Sequence, residues 1–366
     1  MENKIAKLAD IIVNYSLKVE KDERVLIMME TMNPKNLVKH LIEKIYANGG
    51  VPTVKIVDEE LNSLIYENLN EETIDTIVKG KKFEVDNYDS FINIRCNVND
   101  YEGKNFNKEM YKKLGSSTLE IDNVRINQRK WVLLNFPSSL DAHKAKMTTP
   151  NFIDYALDAM TEDYPKMYKS LLPLKELMEK TDKVRIIGKG TDLTFSIKGM
   201  PAVICAGESN IPDGEIFTAP IKESVNGYIT YNTPSPYQGN IYRNIKLTFK
   251  DGQIQNATCD GDEEELNKIF STDEGSRYIG EFSLGVNPKI QYPMGDILYD
   301  EKIFGSIHLT PGRCYHDADN GNISSIHWDL VAIGRSEYGG SEIYFDDELI
   351  RKDGYFVKEE LKDLNK

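Results

Sequence analysis

The sequence predicts two domains of different fold class, an α/β domain over residues 1–180 and a β-rich, mainly antiparallel domain over residues 181–366. In the first part, apolar runs that resemble strands alternate with amphipathic helical stretches, and this order is typical of a Rossmann-like sheet of parallel strands joined by helices. In the second part, short alternating strands follow one another, and two of them turn at Asp-Gly pairs, which favour tight hairpins. This change of pattern places the boundary near residue 180.

The elements of the first domain follow from hydrophobic spacing. Residues 4–17 predict a helix, the run RVLIMME predicts a buried strand, and NPKNLVKHLIEKIYANGG predicts a helix that stops at Gly49-Gly50. VPTVKIV and YDSFINIRC are further strands, separated by a helix around LNEETIDTIVKG. The first strand-to-helix turn lacks G-x-G-x-x-G, so the predicted sheet does not imply a dinucleotide-binding site. Residues 149–180 are mostly helical, with an interruption at Pro165 and a second candidate interruption at Pro173.

The second domain is predicted from six alternating runs, which are VRIIGKG, DLTFSIKG, GEIFTAP, NGYITYN, NIKLTFKDGQIQNATC and SEIYFDDELIRKDGYFV. Strand side chains point to the two faces of a sheet in turn, so such runs indicate half-buried strands. Two of the runs contain a hairpin turn, at Asp251-Gly252 and at Asp353-Gly354. The domain is therefore expected to consist mainly of antiparallel sheet.

Composition and charge exclude several classes of partner. The chain has 366 residues and a net charge of −14, so repulsion opposes binding to a nucleic-acid backbone. No apolar run reaches the ~20 residues of a membrane-spanning helix, and the N-terminal stretch has no signal-peptide pattern. We therefore expect a cytoplasmic protein without nucleic-acid or membrane partners. The four cysteines are widely spaced, which in a reducing compartment indicates unpaired thiols.

Several common catalytic and binding motifs are absent. No histidine is followed by glutamate, so H-E-x-x-H does not occur, and there is no G-x-S-x-G elbow. The segment IIGKGTD lacks the spacing of a phosphate-binding loop. Residues 317–322, DADNGN, resemble a calcium loop, but the glycine comes one residue early and Trp328 stands where the loop needs a glutamate.

A group of histidines distinguishes the second domain. Three of the five histidines in the chain are His308, His316 and His327, which lie close together in the sequence. His308 precedes a Pro-Gly turn, and His327 lies two residues before Asp329 in the apolar run SSIHWDLV, which as a strand would point both side chains to one face. Taken alone, this pair fits a buried histidine held by a neighbouring carboxylate better than a metal site.

Two glutamates favour a functional role instead. Glu215 in NIPDGEIFTAP and Glu281 in GSRYIGEFSLGVNP both follow a glycine in apolar, strand-like surroundings. A carboxylate in such surroundings is costly unless it is paired or bound to a metal ion. Two histidines, one aspartate and two glutamates form a mixed nitrogen and oxygen donor set, which suits zinc, cobalt or manganese better than calcium. Because several carboxylates can bridge two ions, the set indicates a dinuclear hydrolytic site.

At these residues the sequence resembles the thermophilic-aminopeptidase family of dinuclear metallopeptidases. The resemblance rests on four segments that occur in the order of the family, and they are NIPDGEIFTAP (210–220), YIGEFSLGVNP (278–288), HLTPGRCY (308–315) and NISSIHWD (322–329). The N-terminal stretch VLIMMETMNPKNLVKHLIEKIYANGGVPTVKIV also fits the opening αβ unit of the family. The resemblance thus extends over nearly the whole chain.

The resemblance implies the roles of individual residues. The metal-ligand positions of the family fall on five residues, which are Glu215, Glu281, His308, His327 and Asp329. Tyr315 falls on the catalytic tyrosine, and Glu281 is also expected to bridge the ions or relay a proton. Glu301 lies where the family has a further acidic group, as a ligand or beside the ligands. Thr310 replaces the alanine of the family segment H-x-A-x-G, a local departure just before Tyr315.

The resemblance further implies a function. The chain would be a metalloaminopeptidase that hydrolyses the N-terminal residue from peptides with a free N-terminus. It would use two divalent metal ions per chain, zinc, cobalt or manganese, and form a homodimer. Two alternatives stay open, a dinuclear metal hydrolase acting on other amides or esters, and a non-catalytic relative that binds peptide or metal. The first alternative predicts cleavage of blocked peptides or phosphate esters, and the second predicts no turnover.

Overall fold

The computed structural model of the chain describes residues 1–237 and 239–366. Its helices are α1 (Glu2–Asp10), α2 (Lys35–Ala47), α3 (Glu59–Glu67), α4 (Glu71–Asn87), α5 (Lys108–Gln128), α6 (Ser139–Lys144), α7 (Thr149–Met160), α8 (Tyr164–Lys180), α9 (Glu263–Ile269) and α10 (Ile297–Asp300). The chain forms two compact units, described separately below, and they are unit 1 (Met1–Thr161 and Gly207–Pro212) and unit 2 (Glu162–Ala206 and Asp213–Lys366). In the part of the chain that the structure describes, no helix is both long enough and apolar enough to cross a membrane.

The strands are short, and most of them lie in unit 2. They are β1 (Arg24–Met29), β2 (Val51–Ile56), β3 (Ser90–Arg95), β4 (Lys130–Asn135), β5 (Lys183–Gly188), β6 (Thr191–Ser196), β7 (Val203–Cys205), β8 (Asn210–Ile211), β9 (Glu215–Thr218), β10 (Asn226–Thr230), β11 (Ser235–Tyr237), β12 (Asn240–Lys250), β13 (Gln253–Asp260), β14 (Ile279–Gly285), β15 (Ser306–Pro311), β16 (Leu330–Ile333), β17 (Ser341–Phe345), β18 (Glu348–Lys352) and β19 (Tyr355–Phe356).

Unit 1 is built on a five-stranded parallel sheet with the order β2-β1-β3-β4-β8. Helix α2 connects β1 to β2, and its buried residues Leu37, Leu41 and Ile45 recur every four positions, so one stripe of the helix packs inward. The predicted strands β1, β2 and β3 and the predicted helices α2 and α4 are all present. The prediction of parallel strands joined by helices is therefore confirmed for this unit.

Unit 2 contains two antiparallel sheets. The larger has the order β11-β12-β10-β6-β5-β17-β18-β19, with β13 paired to β12, and the smaller has the order β16-β15-β14-β9-β7. Both Asp-Gly hairpins are confirmed, between β12 and β13 and between β18 and β19. At the first of them, Asp251 and Gly252 have φ values of 50° and 81°, the left-handed pair that a two-residue hairpin loop requires. The predicted mainly antiparallel half is thus observed.

The chain passes from unit 1 to unit 2 between Thr161 and Glu162, ahead of α8. Helix α8 begins with Pro165 in its first turn, as the predicted interruption requires, and it packs on β7 and on the C-terminal turn Glu359–Asn365. These contacts explain why α8 belongs to the same compact unit as the antiparallel sheets.

Candidate metal centre

The register of the smaller sheet brings polar side chains from three strands onto one face. Strands β9, β14 and β15 are buried along their whole length, so any polar side chain on them needs a partner. Three cross-strand pairs follow from the register, and they are Glu281–Thr310, Ser283–His308 and Gly285–Glu215. Because paired residues and residues two apart share a face, Glu215, Glu281 and His308 point to the same side of the sheet.

His327 and Asp329 reach this face from the segment that precedes β16. The strand predicted over residues 324–331 is wrong for these two residues, since regular pairing begins only at Leu330 and His327 makes an isolated bridge with Gly312. Gly312 allows the two segments to approach closely at this bridge. Its φ is 110°, and a Cβ there would lie 2.2 Å from the carbonyl oxygen of Ile326, so only glycine lets the two segments approach.

Side-chain hydrogen bonds anchor the segment that carries His327. The carboxylate of Asp273 accepts hydrogen bonds from the hydroxyl groups of Ser324 and Ser325, and the amide of Asn322 donates to the carbonyl of Gly312. The Nδ1–H group of His327 donates to the carbonyl of Arg313 at 2.7 Å. In the neutral ring the proton is then on Nδ1, so Nε2 carries a free lone pair. The bond to Arg313 also orients the ring so that Nε2 faces the carboxylates.

Glu281 lies between the two imidazole rings. Nε2 of His308 donates to its Oε1 at 3.1 Å, and Nε2 of His327 lies 3.5 Å from its Oε2. Nε2 of His327 is also 3.3 Å from Oδ1 of Asp329, and Nδ1 of His308 is 3.7 Å from Oε2 of Glu215. The structure therefore brings together all five residues predicted as metal ligands.

The ligand atoms form three overlapping groups, within each of which they lie no more than 4.8 Å apart. These groups are Glu215–Glu281–His308, Glu281–His327–Asp329 and Glu301–His308–Asp329. Two buried ligand atoms, Oε2 of Glu281 and Nδ1 of His308, have no hydrogen-bond partner among the described residues. An unpaired buried polar atom is costly, and nitrogen and oxygen donors converging on one point suit a zinc-class divalent ion. The residues present therefore fit a divalent metal ion.

Cys205 forms a fourth group with Asp213 and Glu215. Burial and the nearby carboxylates raise the pKa of its thiol well above the ordinary value. A thiol binds metal ions as the thiolate, so Cys205 would have to lose its proton to join a metal site. The three groups that contain Glu281, His308 or Asp329 consist of nitrogen and oxygen donors.

Two residues near the centre have roles that the sequence did not reveal. Lys302 is fully buried, and its ammonium group forms ion pairs with Oε1 of Glu215, at 3.1 Å, and with the carboxylate of Glu301. Burial alone would lower the pKa of Lys302, but these carboxylates raise it well above its ordinary value, so the group is positively charged. Thr310, noted only as a departure from the family segment, donates a hydrogen bond of 2.6 Å to Oδ1 of Asp329.

Tyr315 lies against the centre, whereas His316 does not. The Tyr315 ring is 4.6 Å from the His327 ring and 5.6 Å from the Phe217 ring, measured between centroids, and 45% of the residue is exposed. Desolvation and the charge of Glu281 raise the pKa of its hydroxyl group, which is therefore protonated and able to donate at neutral pH. The side chain of His316 is 95% exposed, and its Nδ1 lies 3.6 Å from Oδ1 of Asp317.

The carboxylates raise the pKa of both candidate ligand histidines. Burial would lower the pKa of each imidazole, but Glu281 and Asp329 raise it, to about 10 for His308 and to about 9 for His327. A protonated imidazole offers no lone pair to a cation, so metal binding has to release these protons.

We therefore expect metal affinity to rise with pH up to about pH 10, and each retained proton to cost a factor of ~10 in affinity per pH unit below its pKa. The measurement is the dissociation constant for Zn²⁺ across this range, together with the protons released into a weakly buffered solution. An affinity independent of pH, with no proton release, would contradict the assignment of His308 and His327 as ligands.

Comparison with known proteins agrees with this geometry. The model of the thermophilic metalloprotease (M29) family matches residues 1–356. Aminopeptidase AmpS of Bacillus subtilis is 32% identical over 161 residues, which are 41% of this chain and 39% of that protein. The matched stretch thus spans about two fifths of the length of that relative.

Two solved structures share the fold. Wild-type AmpT from Thermus thermophilus has a TM-score of 0.81 at 20% identity, covering 98% of this chain and 100% of that chain. The 2,5-dihydroxypyridine dioxygenase of Pseudomonas putida KT2440 has a TM-score of 0.65 at 13% identity, covering 99% of both chains. At these identities the likeness concerns the fold alone, and a fold hosts more than one chemistry.

The family match covers nearly the whole sequence and confirms the predicted resemblance. The chain belongs to the thermophilic metalloprotease family, M29.

Proposed function

We propose that the chain is a metal-dependent aminopeptidase that hydrolyses the N-terminal residue from peptides. The observation that carries this proposal is the convergence of two histidines and several carboxylates on one point, where Oε2 of Glu281 and Nδ1 of His308 are buried without hydrogen-bond partners in the described part of the chain. Membership of a metalloprotease family supports a hydrolytic reaction at this point.

The cluster offers two positions for divalent ions, zinc, cobalt or manganese. Position A consists of Glu281, His327 and Asp329, and position B consists of Glu215, Glu281 and His308. Glu281 belongs to both groups, so it would be a ligand for either ion or a bridge between them. Glu301 is the further acidic group beside position B, paired with Lys302. When bound, divalent ions supply Lewis acidity toward the scissile carbonyl and lower the pKa of a water molecule.

The residues of the chain provide orientation and proton transfer. The bond from Nδ1 of His327 to the Arg313 carbonyl keeps the other nitrogen aimed at the cluster, and Thr310 holds Asp329 in place. Desolvation raises the pKa of Glu281, and its carboxylate would relay a proton from the attacking water if it does not bridge the ions. The protonated hydroxyl of Tyr315 is placed to donate to the developing oxyanion.

An adjacent cavity of about 150 Å³ offers a place for the side chain of the first substrate residue. It borders His327 and Asp329, and its walls include the apolar surfaces of Tyr237, Trp328 and Val331. Such walls suit an apolar N-terminal residue of moderate size. The free α-amine would be recognised by a metal ion or an acidic side chain, so the enzyme would need no long peptide groove.

The proposal also includes the division into domains, the location of the protein and its partners. Residues 181–366 would form the metal-binding catalytic domain, after a Rossmann-like domain over residues 1–180. The protein would act in the cytoplasm as a homodimer, with peptides as its substrates and without nucleic-acid or membrane partners.

The test compares three substrates with the metal-loaded protein, Leu-Gly, N-acetyl-Leu-Gly and p-nitrophenyl phosphate. We expect release of leucine from Leu-Gly alone, loss of that activity after exhaustive chelation, and recovery when Zn²⁺, Co²⁺ or Mn²⁺ is added back. Cleavage of the blocked peptide or of the phosphate ester would favour a hydrolase of broader class. Metal binding without turnover of any free dipeptide would favour a non-catalytic relative.

A further inference from the structure

Lys302 is a cation built into the metal centre. It lies two residues after the end of α10, it is 0% exposed, and its ammonium group pairs with Glu215 and Glu301. A lysine is almost never fully buried unless opposite charges surround it, because removing the ammonium group from water is costly. Within the described residues, these two carboxylates are the ion-pair partners of Lys302, and both belong to groups of candidate metal ligands.

The two metal positions therefore differ in what their carboxylates already bind. At position B, Oε1 of Glu215 pairs with Lys302 at 3.1 Å, and Oε2 accepts a hydrogen bond from Ser283 at 2.9 Å. At position A, Asp329 accepts a hydrogen bond from the neutral hydroxyl of Thr310, and its other close partner is Nε2 of His327 at 3.3 Å. A permanent cation thus shares a ligand with position B and not with position A.

We propose that Lys302 makes the two metal positions unequal, so that position A binds its divalent ion tightly and position B binds its ion weakly. This inference rests on the proposed function, since it assumes that both positions take divalent ions. The physical cause is that the ammonium group neutralises Glu215 and repels a second cation on the same carboxylate, in a buried setting where charges interact strongly. Lys302 acts through Glu215 and Glu301, so it is a positioning residue. It lowers the metal affinity of position B relative to that of position A.

The wild-type protein provides the first test. Protein stripped with a chelator is titrated with Mn²⁺ or Zn²⁺, and bound ions are counted by equilibrium dialysis with elemental analysis. We expect one ion per chain to bind first and a second to need a concentration higher by a factor of ~100, the scale of one like charge about 6 Å away at an effective dielectric constant of about 20. Two ions binding with equal affinity would overturn the inference and leave the proposed function standing. Absence of any bound ion would overturn both.

Variants then test whether Lys302 causes the difference. Lys302→Met removes the ammonium group with little change in volume, but it leaves Glu215 and Glu301 as buried, unpaired carboxylates, which can prevent folding. The double variant Lys302→Met/Glu301→Gln removes one charge of each sign and keeps the net charge of the cluster. In each variant that retains the wild-type circular dichroism spectrum, we expect position B to bind tighter by a factor of ~10 or more and position A to be unchanged.

A matched control is Lys198→Met, which removes a lysine from the surface of the same unit, where its side chain is 75% exposed and pairs with Asp182. This variant is expected to keep the wild-type affinities at both positions. The inference is overturned if the second dissociation constant of the double variant equals or exceeds that of the wild type. It is also overturned if Lys198→Met lowers the second dissociation constant as much as the double variant does.

Discussion

Replacement of Glu281 by glutamine is expected to reduce kcat/KM for dipeptide hydrolysis by ~10³ or more, which corresponds to about 4 kcal/mol of transition-state stabilisation. Glu281 lies 3.1 Å from His308 and 3.5 Å from His327 and belongs to both metal positions. The amide keeps the shape of the side chain but removes its charge and one of its two acceptor oxygens. A bridge between two cations then cannot form, so the protein is also expected to lose at least one of its bound ions.

Metal content by elemental analysis and kcat/KM on Leu-Gly check this prediction together. Glu348→Gln is the matched control, because this glutamate is in the same unit, its side chain is 62% exposed and it pairs with Lys358 on the surface. The control is expected to retain both the ions and the activity. If the Glu281→Gln protein has full metal content and wild-type activity, Glu281 is neither a metal ligand nor a catalytic residue.

Replacement of Tyr315 by phenylalanine is expected to lower kcat by ~10²–10³ while the bound metal ions stay in place, the range found for loss of one well-placed oxyanion donor. The ring contacts with His327 and Phe217 do not involve the hydroxyl group, so phenylalanine preserves the packing. Because the donor acts on charge that develops during the reaction, KM should change little.

Steady-state kinetics and elemental analysis on the same preparation separate the two roles that Tyr315 can have. Tyr228→Phe, an exposed tyrosine of β10 in the same unit, is the control and is expected to leave both quantities unchanged. If Tyr315→Phe loses its metal ions, the tyrosine has a structural role. If it keeps wild-type kcat, the hydroxyl group is not the donor.

Local patterns in the sequence predicted the elements whose stability depends on neighbours along the chain. The hairpin at Asp251-Gly252 needs two consecutive left-handed residues, and that requirement is visible in the sequence itself. Helix α2 was predictable because its apolar stripe, Leu37, Leu41 and Ile45, is complete. Helix α5 was not predicted, since it buries only Leu114 and Thr118 and most of its surface meets solvent.

The sequence was sufficient to list the candidate ligands of the site. It was not sufficient to predict the backbone conformation around them or the residues that lie beside them. Apolar alternation around His327 suggested a strand, but His327 makes an isolated bridge with Gly312 and the regular strand begins only at Leu330. The role of Lys302 depends on β9 lying beside the end of α10, a tertiary relation without a local signal. The only hint was a lysine next to an acidic residue in the apolar run YDEKIFGSIH.

The central claim is that carboxylates and imidazoles from distant segments converge on divalent metal ions. Anomalous diffraction at the zinc edge from crystals grown with Zn²⁺ tests it most directly. We predict a peak at position A within ~2.0–2.2 Å of ligand atoms of Glu281, His327 and Asp329, with any second peak beside Glu215 and His308. Zinc bound elsewhere on the protein, with no peak beside Glu281, would contradict the account.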